Sequence, residues 1–184
     1  MKSNNSSYVS FVGVLFLIAG TLLYLGPFLV SERKILGKVV TEETTGFDWV
    51  ASGDAWSVVA LVLVVLLVLV GIVAVVMAQL GASKKKKGDG SVLAYGAKQL
   101  AKKGAVAKFV FVVVLFIIGA LPLIANFIGI SAIADQVASG VAMTGWLSNF
   151  VSSAVSMGWA CIVSGILIAC GFALSMGGVL LGKK

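Results

Sequence analysis

The sequence has no histidine, only two cysteines and few charged side chains. The absence of histidine removes the commonest metal ligand and the commonest acid–base group near neutral pH, which excludes His-ligated haem and Glu-x-x-His di-iron sites. Cys161 and Cys170 are spaced to lie on opposite sides of one helix, where they form a helix wall or face lipid, so they cannot bond to each other. There is also no zinc motif, and we expect no metal or cofactor.

The low charge content excludes a soluble globular domain. Only 11% of the residues are charged, whereas about a quarter is usual for soluble domains. Hydrophobic residues make up 60% of the chain, and its mean hydropathy is +1.11. This composition predicts an integral membrane protein.

Four long apolar runs without charge predict the fold; they cover residues 11–30, 56–80, 109–130 and 155–181. About 20 apolar residues cross the hydrocarbon layer as a helix. The runs are too long and too uniformly apolar for the alternating strands of a barrel, the other structure that satisfies its backbone in lipid. We predict an all-α integral membrane protein, a single domain of four transmembrane helices, with the first run kept as a span and not cleaved as a signal peptide.

Charge asymmetry predicts the orientation. The segment 81–108 holds eight lysines against one acid, whereas the first loop, 31–55, holds three basic and five acidic residues. By the positive-inside rule, both termini and the lysine segment face the cytoplasm of a plasma membrane. The lysines could also contact anionic lipid, although topological signalling alone would explain them. They are Lys84, Lys85, Lys86, Lys87, Lys98, Lys102, Lys103 and Lys108. Nucleic acid is not expected, because the segment has no arginine and one aromatic residue.

The two outer segments carry weaker local signals. Lys38 to Thr45 is rich in Val and Thr and predicts a short strand. Segment 131–154 has apolar residues at helical spacing, which predicts one or two short amphipathic surface helices, with a re-entrant element lining a cavity as the alternative. Trp49 and Trp56 are interpreted as interfacial anchors, or alternatively as part of a partner-binding patch.

Small residues mark the faces on which helices can approach closely in lipid. The fourth run carries them at steps of four, and the first and third runs offer further glycines. The predicted helix-packing residues are Gly13, Gly20, Gly119, Gly129, Cys161, Gly165, Ala169, Ala173 and Gly177. These faces could build the chain's own bundle or an oligomer contact. The second run is mostly branched, and we expect it to face lipid or a partner.

Four residues are the candidate polar features inside the membrane: Pro122, Asn126, Ser164 and Ser175. Proline frees a backbone carbonyl, so Pro122 predicts a kink in the third helix. The Asn126 amide can satisfy such a group or bond to another helix, and the serines can do the same. Local structural repair is the simpler interpretation, and a permeation or ligand contact is the alternative.

No Asp, Glu, Lys or Arg interrupts any of the four runs. Pumps and ion-coupled carriers usually need ionisable groups within the membrane, so this pattern argues against them. No catalytic or nucleotide-binding motif is present, and we expect that the protein is not an enzyme. The layout of four helices, both ends inside and a longer first outer loop, resembles the tetraspan arrangement of claudin-like and connexin-like proteins. That loop lacks cysteine and the tryptophan–glycine–leucine–tryptophan pattern of claudins.

Three functions fit these observations. The first is a non-catalytic structural or accessory subunit of a membrane assembly, whose partners are other membrane subunits or copies of itself. It would pack laterally through its small-residue faces. The second is a passive oligomeric pore lined by Asn126 and the serines, with Asp135 as a further candidate lining residue. The third is a membrane-shaping envelope protein, of viral type, that uses amphipathic segments and the basic segment to deform lipid.

Overall fold

A computed structural model describes residues 4–35, 38–83, 104–142 and 151–181. This part of the chain is mostly helical and forms a three-stranded sheet as well. In chain order the elements are α1 (Asn4–Leu22), a 3-10 turn (Leu23–Leu25), β1 (Pro27–Ile35), β2 (Lys38–Thr45), α2 (Gly46–Ala51), α3 (Ala55–Ser83), α4 (Ala105–Gly119), α5 (Leu121–Ala142), β3 (Val151–Met157) and α6 (Trp159–Leu181).

Four stretches of the described chain are long and apolar enough to cross a membrane, as the sequence predicts. They are Tyr8–Leu25, Ala55–Val76, Ala105–Ala138 and Trp159–Leu180. In the last of these, 61% of the apolar stretch is buried, whereas in the other three the buried share is 28–33%. α6 is therefore the helix that packs most closely against the rest of the chain, in keeping with its many small residues.

The first helix ends well before the predicted Val30. A 3-10 turn follows Leu22, and Gly26 is extended because the residue before a proline is excluded from the helical region. Pro27 lacks an N–H and begins β1, a position that proline tolerates in a strand. The apolar run of the sequence therefore contains the end of a span and the start of a strand.

The sheet corrects the all-α prediction. β1 lies in the centre and pairs antiparallel with both β2 and β3. The predicted strand, Lys38 to Thr45, is confirmed as β2. β1 was not predicted because its first residues continue the apolar run of the first helix, and short apolar runs do not distinguish strand from helix. β3 was not predicted because its partner strand, β1, is distant in sequence.

The predicted surface helices in segment 131–154 are also wrong in part. α5 continues from the third span to Ala142, and Val151–Met157 is a strand that packs alongside α5. That strand also moves the start of the last helix from residue 155 to Trp159. Residues 143–150 lie outside the described part.

The chain divides into two compact units. The first comprises Met1–Ala19, Val64–Ala120 and Ile166–Lys184, and the second Gly20–Leu63 and Leu121–Gly165. The described residues of the first unit are mainly helical, and Ala74, Val75 and Val179 are among its buried side chains. The second unit contains the sheet, the short helix α2 and a buried aromatic cluster that includes Tyr24 and Phe28.

Candidate association surface

In the first unit, α1 and α6 approach to backbone contact. A Cβ added at Gly13 would lie 2.7 Å from the Gly171 carbonyl oxygen and 2.9 Å from the Ser175 Cα. No side chain fits between atoms so close. Gly13 therefore packs against the chain's own α6, and Gly71 of α3 enters the same contact beside Leu17. The second span thus makes a tight contact too, in addition to the exposed branched face that the sequence predicts.

The small-residue stripe of α6 lies against the third span. Gly119 of α4 is so close to Ala169 that an added Cβ would lie 2.8 Å from the Ala169 Cα. In the second unit, a Cβ at Gly165 would lie 2.6 Å from Leu123. The remaining stripe residues are also buried: Cys161, Ala173 and Gly177. Gly177 is packed loosely, since its added Cβ would meet nothing closer than 3.9 Å.

Two predicted serines make different hydrogen bonds. The Ser164 hydroxyl donates to the Gly20 carbonyl at 2.7 Å and so joins α6 to α1 within the second unit. The Ser175 hydroxyl donates to Phe172, on its own helix, at 3.0 Å. Both side chains are buried. Ser164 is the residue of this pair that holds two spans together.

The predicted kink coincides with an interruption between α4 and α5 at Ala120, just before Pro122. Pro122 is fully buried and cannot donate a backbone hydrogen bond. The Ala120 N–H donates to the Phe116 and Ile117 carbonyls, which closes α4 before the proline. Asn126 is one turn further along α5 and is 3% exposed.

Asn126 belongs to a buried polar cluster in the second unit. Its amide lies close to the Tyr24 hydroxyl and the Cys161 thiol. Even so, no described residue offers a well-formed hydrogen bond to Asn126 Oδ1, the Tyr24 hydroxyl or the Trp49 indole N–H. Tyr24 packs on the rings of Phe28 and Phe47. No motif or residue spacing predicted a role for Tyr24, because its partners come from other elements.

The two tryptophans have different environments. The Trp49 ring is 3% exposed and packs against Gly129, where an added Cβ would lie 3.0 Å from it. This burial contradicts its interpretation as an interfacial anchor. Trp56 is 41% exposed and keeps that interpretation open, although its Cβ also contacts Gly129. Gly129 thus packs against two aromatic residues from the segment around α2.

The lysine segment falls almost entirely outside the described residues. Those outside are Lys84, Lys85, Lys86, Lys87, Lys98, Lys102 and Lys103. Lys108 is described, near the start of α4, and is half-buried. The lipid contacts predicted for this segment stay predictions.

One end of the sheet packs into buried surroundings. Phe28 and Leu29 of β1 are buried, and the Gly158 N–H donates to the Phe28 carbonyl at 2.9 Å. At the same end, Thr45 caps α2 by accepting the Asp48 N–H at 3.1 Å. The rest of β2 lies outside the buried region, because each residue from Lys38 to Glu43 is exposed.

β2 is an edge strand. Its inner edge pairs with β1, and within the described residues its outer edge pairs with no other strand. Val39 and Val40 are 61% and 49% exposed. An open strand edge offers a row of unpaired backbone groups to another chain. Within the described part of the chain, β2 therefore presents an open strand edge whose two faces are exposed from Lys38 to Glu43.

No group of three or more His, Cys, Asp or Glu side chains that could hold a metal ion occurs among residues 4–35, 38–83, 104–142 and 151–181. Comparisons with protein-family models, curated proteins and solved structures found no match for this chain.

Proposed function

We propose that the protein is a non-catalytic structural or accessory subunit of a membrane assembly and that it associates through its outer sheet. The observation that carries this proposal is that β2 is exposed on both faces from Lys38 to Glu43 and that none of the described residues pairs with its outer edge. A strand whose two faces are exposed and whose outer edge is open contributes little to the fold of its own chain. A contact outside the chain gives it a role.

The helix faces support the same division of roles. The sequence suggests lateral packing through small residues, yet Gly13, Gly119 and Gly165 contact helices of the same chain. These faces are therefore occupied inside one copy. Association between copies, or with another subunit, needs a different surface, and β2 provides one.

Orientation follows from the charges of the sequence. In the proposed topology the sheet faces the outside of a plasma membrane, and the termini and the lysine segment face the cytoplasm. One span, Ala55–Val76, separates the sheet from the lysine segment. The lysines then lie beside the leaflet in which anionic lipids are concentrated.

The mass of the native particle tests this function. The protein would be extracted with its surrounding lipid, without harsh detergent, and its particle mass measured together with the identity of co-purifying chains. We expect a complex larger than one chain. A particle that consists of this single chain, with no second copy and no other protein, would contradict the proposal.

A passive pore is the second candidate, favoured by the unpartnered polar atoms of Tyr24, Trp49 and Asn126 within the second unit. Against it, Asn126, Ser164 and Ser175 are buried inside one copy and do not lie on the surface that an oligomer would enclose. Conductance in planar bilayers would favour this candidate, and its loss in Asn126→Leu would assign the pathway. The membrane-shaping alternative loses part of its support, since Val151–Met157 is a strand and not an amphipathic helix.

A further inference from the structure

The chemistry of β2 specifies which partner it fits. Its charges lie towards its ends, with Lys38 at one end and Glu42 and Glu43 at the other, while Val39, Val40 and Thr41 lie between them. Edge strands often carry charge to prevent association. Here the opposite signs at the two ends allow an antiparallel strand of the same sequence to place Lys38 of each copy opposite Glu42 of the other.

Symmetry restricts the registers of such a pair. In an antiparallel ladder, hydrogen-bonded and non-hydrogen-bonded residue pairs alternate. A two-fold axis relates the two strands, so it must leave every hydrogen-bonded pair hydrogen-bonded. It does so only where it passes between two copies of the same residue, because an axis between neighbouring residues would turn hydrogen-bonded pairs into non-hydrogen-bonded pairs. Each symmetric register is then defined by the residue that lies opposite itself.

Only one central register brings opposite charges together. With Val40 opposite Val40, Lys38 of each copy lies opposite Glu42 of the other. With Thr41 opposite Thr41, Val40 lies opposite Glu42 and Lys38 opposite a threonine. With Glu42 opposite Glu42, two carboxylates face each other, which is unfavourable. With Val39 opposite Val39, most of the strand has no partner.

The Val40 register also suits the two faces of the strand. Lys38, Val40 and Glu42 alternate along β2, so they share one face. On that face two charge pairs flank a Val–Val pair, and on the other face Val39 lies opposite Thr41. Branched side chains and opposite charges are favourable cross-strand neighbours.

We propose that β2 pairs antiparallel with β2 of a second copy of this chain, with Val40 opposite Val40. The pairing joins two three-stranded sheets into one six-stranded sheet. This inference rests on the proposed function and deepens it by naming the partner and the register.

Single cysteines test the register directly. Residues directly opposite each other have Cα atoms about 4.5–5.5 Å apart, within the range of a disulfide, whereas diagonal neighbours are about 7–8 Å apart and outside it. Under mild oxidation, Val40→Cys should give a disulfide-linked dimer as its main product. Val39→Cys and Thr41→Cys alone should stay at the level of the wild-type chain, and together, co-expressed, they should crosslink.

The wild-type chain is a suitable blank for this experiment. Its two cysteines are both in α6, where Cys161 is buried and Cys170 half-buried. The three cysteine variants are matched, since Val39, Val40 and Thr41 are all exposed neighbours on β2. Crosslinking of Val39→Cys or Thr41→Cys alone, without Val40→Cys, would overturn the register.

Charge exchange provides a second test that does not depend on disulfide formation. Lys38→Glu and Glu42→Lys should each reduce the dimer fraction several-fold, and the double variant should restore it, because the opposite charges are then exchanged. Glu43→Lys is the matched control, since position 43 lies opposite no residue of β2 in this register. Equal loss in Glu42→Lys and Glu43→Lys, or no recovery in the double variant, would contradict the charge pairing.

Failure of this inference is distinguishable from failure of the proposed function. If the native particle is larger than one chain and Val40→Cys gives no dimer, the assembly exists and β2 self-pairing is wrong. If the native particle holds one chain, both are wrong.

Discussion

The α1–α6 contact and strand β2 use side chains in opposite ways. At the α1–α6 contact, Gly13 and Gly171 bring two backbones so close that no added atom fits. On β2, every side chain from Lys38 to Glu43 is exposed. A larger side chain at the helix contact would disturb the fold, whereas side chains on β2 can be exchanged with little effect on the fold. The comparison indicates that the helices stabilise the single chain, while the outer strand is available for contacts beyond it.

The largest effect is expected from a substitution that disrupts the contact between α1 and α6. Gly13→Ala places a Cβ against backbone atoms of α6, and overpacking of this kind should lower the free energy of unfolding by about 2–3 kcal/mol. Gly177→Ala is the matched control, because its Cβ would meet nothing closer than 3.9 Å and the change should stay within about 0.5 kcal/mol. Denaturant titration of both variants in one detergent measures the difference. Equal losses would show that α1 does not approach α6 at Gly13.

The next largest effect is a difference in stability between substitutions of two buried serines in α6. Ser164→Ala removes the hydrogen bond to the Gly20 carbonyl that joins α6 to α1, and should cost about 1 kcal/mol. Ser175→Ala removes a bond within one helix and should cost about half as much or less. The same titration compares them. A larger loss for Ser175→Ala would contradict the assignment of the interhelical bond to Ser164.

A substitution in the buried polar cluster is expected to leave the stability unchanged or to raise it. Tyr24→Phe keeps the ring that packs on Phe28 and removes a buried hydroxyl without a well-formed hydrogen bond. The free energy of unfolding should stay the same or rise by about 1 kcal/mol. Thermal unfolding measures it. A loss of stability would mean that the hydroxyl is bonded to Asn126, which lies beside it.

The smallest effect is expected on the exposed strand. Val39→Thr keeps a branched side chain at a position that is 61% exposed, so the free energy of unfolding of the single chain should change by less than about 0.5 kcal/mol. The measurement is made at a concentration where the protein is monomeric. A loss comparable to that of Gly13→Ala would show that β2 supports the fold of its own chain after all.

The sequence predicted those features that depend on local composition. Uncharged runs located the four helices that are long and apolar enough to cross a membrane, and the cluster of branched residues located β2. It missed β1 because Pro27–Val30 continues the apolar run of the first helix, so hydropathy does not separate span from strand. It missed β3 because Val151–Met157 becomes a strand only by pairing with β1.

Residue contacts were harder to predict than elements. Trp49 was interpreted as an interfacial anchor from its position in an outer loop, but the short helix α2 packs its ring against Gly129. The small-residue stripe was visible in the sequence, while its partner helix was not. Tyr24, Asn126 and Cys161 come together from three separate spans. No single-helix periodicity contains that information.

Topology is the claim on which the whole account depends, and labelling of single cysteines in intact cells tests it most directly. Val40 and Lys86 flank the candidate span Ala55–Val76 in the sequence, and the proposed topology places them on opposite sides of the membrane. A thiol reagent that cannot cross the membrane should label Val40→Cys in intact cells and should label Lys86→Cys only after the cells are opened. Labelling of Lys86→Cys from outside, or of both positions alike, would contradict the account.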